Sequence, residues 1–211
     1  GRQMTVTTAK LLFLLACAGH LALWYCDKII TCLEGGRFNF RDLRENEKLS
    51  AVMGNTPLWQ TMTSMVLGVF AMTAAFFGYL ALCEWIRQFS AAYAVLMLVG
   101  CVLFFLGGVA HHVFCGAVEW FYLRMGKTEE ARKSITEFFG KTSVTMYSCY
   151  LGLLLFAVSF FIAVLTGTTA LPRWACVFNT LPLFLIMLPF RVVGTGNLVN
   201  AVMFLGLFFL M

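Results

Sequence analysis

About six apolar stretches run through this chain of 211 residues, each near the length that a bilayer demands of a helix. A spanning helix needs about 20 mostly apolar residues at about 1.5 Å of rise each. That rule predicts spans at 8–31, 57–86, 91–124, 142–166, 173–192 and 196–211. In lipid every backbone N–H and C=O must be paired within the protein, which leaves only helices or a closed barrel. Runs this long with a 3.6-residue period exclude the barrel. The expected fold is therefore all-α, an integral membrane bundle of about six transmembrane helices forming a single domain over 4–211. Residues 1–3, which precede Met4, read as a cloning or cleavage remnant. The last span ends at Met211 without a polar flank and reaches only about 24 Å. Either the natural C-terminus lies further on or this helix stops short of the far interface.

Composition supports the same class. The chain is 61% hydrophobic and 12% charged, so a soluble fold would lack the polar surface to cover itself. The formal charge of +5 gives no nucleic-acid signal, because the basic residues sit in short loops beside the spans. Membrane lipid is the expected partner, and no nucleic acid is expected. Of eight cysteines, all but Cys32 fall in apolar stretches and none forms a C-x-x-C pair. They read as reduced, structural thiols.

Two connections are substantial. Residues 32–56 interleave Arg37, Arg41, Arg44 and Lys48 with Asp42, Glu45 and Glu47, which predicts a surface helix. In 125–141, Thr128 is placed to cap a short amphipathic helix. The side holding these loops carries Lys28, Arg37, Arg41, Arg44, Lys48, Arg124, Lys127, Arg132, Lys133, Lys141 and Arg191. The side holding both termini has Arg2, Lys10, Arg87 and Arg173. The positive-inside rule then puts the longer loops in the cytoplasm of a bacterial cell and both termini outside.

Helix contacts within lipid favour small residues at helical spacing. Thr61, Ser64, Gly68, Ala71, Ala75 and Gly78 make such a stripe in the second span, and Thr145, Ser148, Gly152, Ser159 and Ala163 a shorter one in the fourth. Pro182 and Pro189 should kink the fifth.

Ionisable residues inside the spans are costly and commonly functional. In the first span Cys17, His20, Trp24 and Asp27 share one face. In the third, Gly108, His112, Cys115 and Glu119 do so, with Gly107 and His111 on the adjoining strip. Both spans run the same way, so Asp27 and Glu119 approach the same interface. Asn55 and Trp59 of the second span, Arg191 of the fifth, and Asn197 and Asn200 of the sixth lie there too. The other half is nearly featureless apart from Asn179. This convergence points to a polar pocket in the cytoplasmic half.

Each member has a plainer reading: His20 bonded to a carbonyl, Asp27 as an interfacial cap, Glu119 among headgroups, Arg191 snorkelling. The adjacent pair His111–His112 is harder to dismiss, because its side chains point about 100° apart on a helix.

Three chemistries fit these residue types. His111 and His112 with Asp27 or Glu119 can act as acid–base partners, with His20, Trp24, Trp59, Arg191, Asn197 and Asn200 contacting a small-molecule or lipid ligand. His20, His112 and Glu119 can also supply nitrogen and oxygen ligands to a divalent metal. A single histidine can ligate haem, although no C-x-x-C-H site is present; as a functional class, the acid–base residues can instead form the relay of a proton-coupled transporter. A structural or assembly subunit, with polar groups fixing helix register, is the remaining alternative. No G-x-S-x-G, Walker A, H-E-x-x-H or G-x-G-x-x-G motif is present.

Four features carry a family resemblance. They are Asp27 near the inner end of the first span, Gly78-Tyr79 late in the second, the glycine-then-histidine step of the third, and Leu171-Pro172-Arg173-Trp174 before the fifth. With them the chain resembles an uncharacterised bacterial family of small multi-pass membrane proteins. The resemblance implies a membrane fold and brings no activity.

Overall fold

A computed structural model describes residues 4–211, and the three residues read as a remnant lie outside them. The first helix, α1 (Val6–Thr31), starts where Thr5 accepts a hydrogen bond from the Thr8 amide. After a short hairpin (β1, Cys32–Leu33; β2, Gly36–Arg37) and a 3-10 turn (Phe40–Arg44) come α2 (Asn46–Met53), α3 (Leu58–Arg87) and α4 (Ala91–Arg124). Thr128 caps α5 (Glu129–Thr142), which leads almost directly into α6 (Val144–Leu165). The chain ends in α7 (Thr180–Met187) and α8 (Thr195–Leu210).

The architecture is an all-α bundle. Helices α1, α3, α4 and the run Glu129–Leu165, of which α6 is the apolar part and α5 a charged lead-in outside it, are long and apolar enough to cross a membrane. Neighbours follow chain order: α1 packs on α3, α3 on α4 and α4 on α6, while α8 returns beside α1 and carries α7. Small residues set these approaches. All six members of the second-span stripe are buried, and a Cβ added to Gly19 of α1 would stand 2.6 Å from the Ala71 carbonyl oxygen. On the other side, a Cβ on Gly100 would lie 2.7 Å from both the Gly152 oxygen and the Phe156 nitrogen. Backbone-to-backbone packing of this kind replaces the hydrophobic drive that lipid cannot supply.

Two expectations are corrected. The stretch 173–192 is not one helix: a 3-10 turn at Arg173–Val177 precedes α7, and a second at Leu188–Phe190 follows it. Asn179 causes the late start. Its Oδ1 accepts the Leu181 amide at 3.0 Å while its Nδ2 donates to the Ala157 carbonyl at 2.9 Å, so it caps a helix from within the bundle. Pro182 then falls in the first turn of α7, where the missing N–H breaks no helical bond. Eight residues rise only about 12 Å, short of a full crossing.

The mixed-charge segment 32–56 is α-helical only over α2, after a 3-10 turn at Phe40–Arg44, because Gly36, at φ 136°, turns the chain into the hairpin. This segment folds onto α5 and the end of α4 around Leu43, Leu49, Met53, Val118, Tyr122, Ala131 and Ile135. Tyr122 donates to Asn46 Oδ1 at 2.8 Å and Arg132 to the Leu43 carbonyl at 2.8 Å, so one end of the bundle is capped. The opposite half is an apolar core built on Phe13, Tyr79, Ile86, Met97, Phe156 and Phe204.

Candidate functional site

Beneath the cap, a cavity of about 520 Å³ lies among α1, α4, α6, α7 and the start of α8. It brings together His20, Asp27, His111, His112, Glu119, Asn197 and Asn200. Three of the sequence candidates stand outside the lining. Trp24 acts behind it, donating from Nε1 to the Val193 carbonyl at 2.9 Å and so holding the loop between α7 and α8. Gly194 in that loop has φ 70°, and a Cβ there would meet Trp24 Cδ1 at 2.8 Å and Asp27 Oδ2 at 3.2 Å. Only glycine lets the loop lie this close to Asp27. Arg191 is exposed, and its carbonyl accepts from Arg37 at 3.3 Å. Trp59 is 61% exposed at the start of α3, away from the cavity.

A row of hydrogen bonds with one direction runs through the polar wall. Asn197 Nδ2 donates to Asp27 Oδ2 at 2.7 Å. The reverse orientation would set an amide oxygen against a carboxylate oxygen. Asn197 Oδ1 therefore accepts, and the donor is His20 Nδ1, 2.9 Å away. With its proton on Nδ1, neutral His20 accepts at Nε2 from the Tyr79 hydroxyl at 3.0 Å. Donors thus point from Tyr79 through His20 and Asn197 to Asp27.

His112 meets the same carboxylate from α4. Its Nε2 lies 2.9 Å from the Ser64 carbonyl oxygen, which can only accept, so Nε2 carries a proton. Ser64 in turn donates its hydroxyl to the Cys26 carbonyl at 3.0 Å. The other ring nitrogen, Nδ1, stands 3.9 Å from Asp27 Oδ1. With Nε2 committed, Nδ1 presents a lone pair when His112 is neutral and a proton when it is charged. Asp27 and His112 therefore stand within ion-pair range when the imidazole is charged, but beyond direct hydrogen-bond reach. Gly68 makes room for it, since a Cβ there would run into the His112 ring.

Glu119 lies two turns along α4 toward the cap, is 2% exposed, and has no hydrogen-bond partner at Oε2. His111 is half-buried, with Nε2 3.5 Å from Cys115 Sγ. Asn200 Oδ1 accepts from Thr180 at 2.6 Å, tying α8 to α7. For the metal possibility, His20 and His112 spend ring nitrogens on Tyr79, Asn197 and Ser64. Among the described residues no group of three or more His, Cys, Asp or Glu is arranged to hold an ion.

The remaining wall is apolar and aromatic, including Met72, Phe104, Phe105, Phe139 and Leu153. Tyr150 of α6 and Phe184 of α7 line the cavity yet are 61% and 39% exposed. These two residues bring the cavity wall to the flank of the bundle, where α6 and α7 touch only sparingly.

Residue types alone missed several participants. Tyr79 and Ser64 looked like parts of a packing stripe or an apolar helix, and Arg37 like a loop charge. The available signal for Tyr79 was a phenol within a span: a buried hydroxyl needs a partner, and histidine is one of few in this chain.

No match was found among curated proteins or among solved structures. A family model does match, over residues 4–211, nearly the whole chain. With four apolar helices long enough to cross a membrane, the chain belongs to DUF6796, a family of unknown function.

Proposed function

We propose that this chain binds a small amphiphile or lipid in the cavity beneath its cap, and that Asp27 and His112 exchange a proton with that ligand. The observation that carries the reading is the pairing of Asp27 with His112 on the cavity wall, each held by a separate partner, Asn197 and Ser64. Pre-set orientation is what an acid–base pair needs, because the two groups then stand beside one another before a proton is exchanged. The mixed lining, polar on α1 and α8 and aromatic elsewhere, suits a ligand with one polar end.

By the positive-inside rule, the cap, rich in lysine and arginine, faces the cytoplasm of a bacterial cell membrane and both termini face outward. A proton-coupled transporter is the less favoured reading. Tyr79 is ringed by Phe104, Phe105, Phe156 and Phe204, and among the described residues its hydroxyl bonds only His20, so the row of hydrogen bonds ends there. A purely structural role sits poorly with a cavity that leaves the Glu119 carboxyl unpartnered.

The test is His112→Ala in the full chain. Lipids retained through purification in a mild detergent are identified by native mass spectrometry, with folding followed by circular dichroism. Loss of the retained species from a folded variant supports the reading; unchanged retention would sink it.

A further inference from the structure

We infer that the cavity takes an amphiphile with a primary ammonium head, and that Glu119 is the group that receives it. The inference rests on the reading of the cavity as an amphiphile site and adds the chemical class of the ligand. The starting point is the buried, unpartnered Oε2 of Glu119. Among the described residues no lysine, arginine or histidine forms an ion pair with Glu119. The one arginine of the lining, Arg37, directs its guanidinium to the Arg191 carbonyl instead.

A buried carboxylate without a counter-charge or donors is strongly disfavoured, and a protonated one needs an acceptor for its hydroxyl. Either form of Glu119 is completed only by something that enters the cavity. Asp27 differs, because Asn197 and His112 already attend it.

The surroundings of Glu119 decide the sign of that ligand. Phe38, Phe40 and Phe139 line the capped part of the same cavity, Phe40 meeting Phe38 edge to face at 5.6 Å between centroids and stacking on Phe139 at 5.1 Å. Aromatic faces attract cations and offer nothing to an anion. A primary ammonium adds what a quaternary one lacks, an N–H to donate to Oε2. Its hydrocarbon tail has a path through the seam marked by Tyr150 and Phe184, whose outer surfaces lie on the flank of the bundle.

The experiment titrates the full chain, in a neutral sugar detergent at pH 7, with dodecylamine, dodecyltrimethylammonium, dodecanol and dodecanoate, following thermal unfolding. The expected order of affinity is dodecylamine first, the quaternary amine second, and the alcohol and carboxylate last. Glu119→Gln should weaken dodecylamine by about tenfold or more, the size of a lost charge-assisted hydrogen bond, while Glu84→Gln, at a half-buried carboxylate near the far end of α3 and outside the cavity lining, should bind like the parent chain. Dodecanol or dodecanoate binding as tightly as the amine overturns the ammonium assignment and leaves the amphiphile cavity standing. Equal losses in both variants, or none in Glu119→Gln, overturn the role of Glu119. Absence of binding by all four overturns the inference and the cavity reading together. If Glu119→Gln does not fold, the ranking on the parent chain still decides the ligand class.

Discussion

Asn197 Nδ2 lies 2.7 Å from Asp27 Oδ2, and this single contact fixes the tautomer of His20, whose Nδ1 is 2.9 Å from the amide oxygen. Replacing Asn197 with leucine keeps the approximate volume and strands a buried N–H on one side and a carboxylate on the other. The expected cost is about 1–3 kcal/mol of stability, seen as a lower unfolding temperature. The double variant with His20→Leu should lose less than the sum of the two single changes, because the partners share one interaction. Additive losses would show that the row is not coupled.

The position of His112 depends on a missing side chain across the helix interface. Gly68→Ala places a methyl against the imidazole, and the ring must leave the Ser64 carbonyl. The cost of such overpacking is about 1–3 kcal/mol. In 15N spectra of labelled histidine, His112 of the parent chain should carry its proton on Nε2, and Gly68→Ala should lose that signature. A spectrum unchanged by the substitution would falsify the seat of His112 against α3.

Glycines in this chain divide by what surrounds them, and two alanine substitutions should move stability in opposite directions. Gly100→Ala meets the backbone of α6 at Gly152 and Phe156 and should destabilise the bundle. Gly140→Ala in α5 has nothing within 4 Å and should stabilise it by about 0.5–1 kcal/mol through helix propensity. Thermal unfolding of the two variants checks both signs.

The cap offers a pH-dependent signal outside the spans. Arg132 donates to Glu129 from Nε at 2.8 Å and from one terminal nitrogen at 2.5 Å, holding that carboxyl below its ordinary value near 4.5. The stabilising contribution is therefore complete above that value and is lost as pH falls through the lower folded one. Carboxyl 13C titration should give a midpoint below 4.5 in the parent chain, and Arg132→Ala should move it upward. A midpoint that does not respond to the substitution would remove Arg132 as the cause.

What could be read from the residues alone follows the physics of each segment. The span 91–124 coincides with α4 because Ser90 and Arg124 bracket a long, mostly apolar run, and the lipid requirement admits no other structure there. The stripe from Thr61 to Gly78 announced its neighbour through small residues, a signal local to one helix. The stretch 173–192 failed because its hydropathy is the same whether the chain is helix or 3-10 turn. The deciding fact, Asn179 reaching the Ala157 carbonyl on α6, is a tertiary contact. The site divides similarly. Face and depth placed Asp27, His112, Glu119 and Asn197 near one another, while direction of donation, which links Tyr79 to Asp27, appears only with coordinates. Trp59 and Arg191 shared the depth but not the azimuth, so position along the chain normal was insufficient for them.

The common polarity of the Tyr79–His20–Asn197–Asp27 row has a consequence for how the molecule registers events in its cavity. Each member is donor to the next, so none can reverse alone without setting two hydrogens or two lone pairs face to face. A proton that turns Asp27 from acceptor to donor toward Asn197 obliges the amide to rotate, the imidazole to exchange tautomers and the phenol to swing its hydroxyl away. The state of one carboxyl at the cavity wall is thereby written into the aromatic interior beyond it, where the Tyr79 ring rests on four phenylalanines. Charge at the surface of the pocket and order in the core become two readings of a single switch.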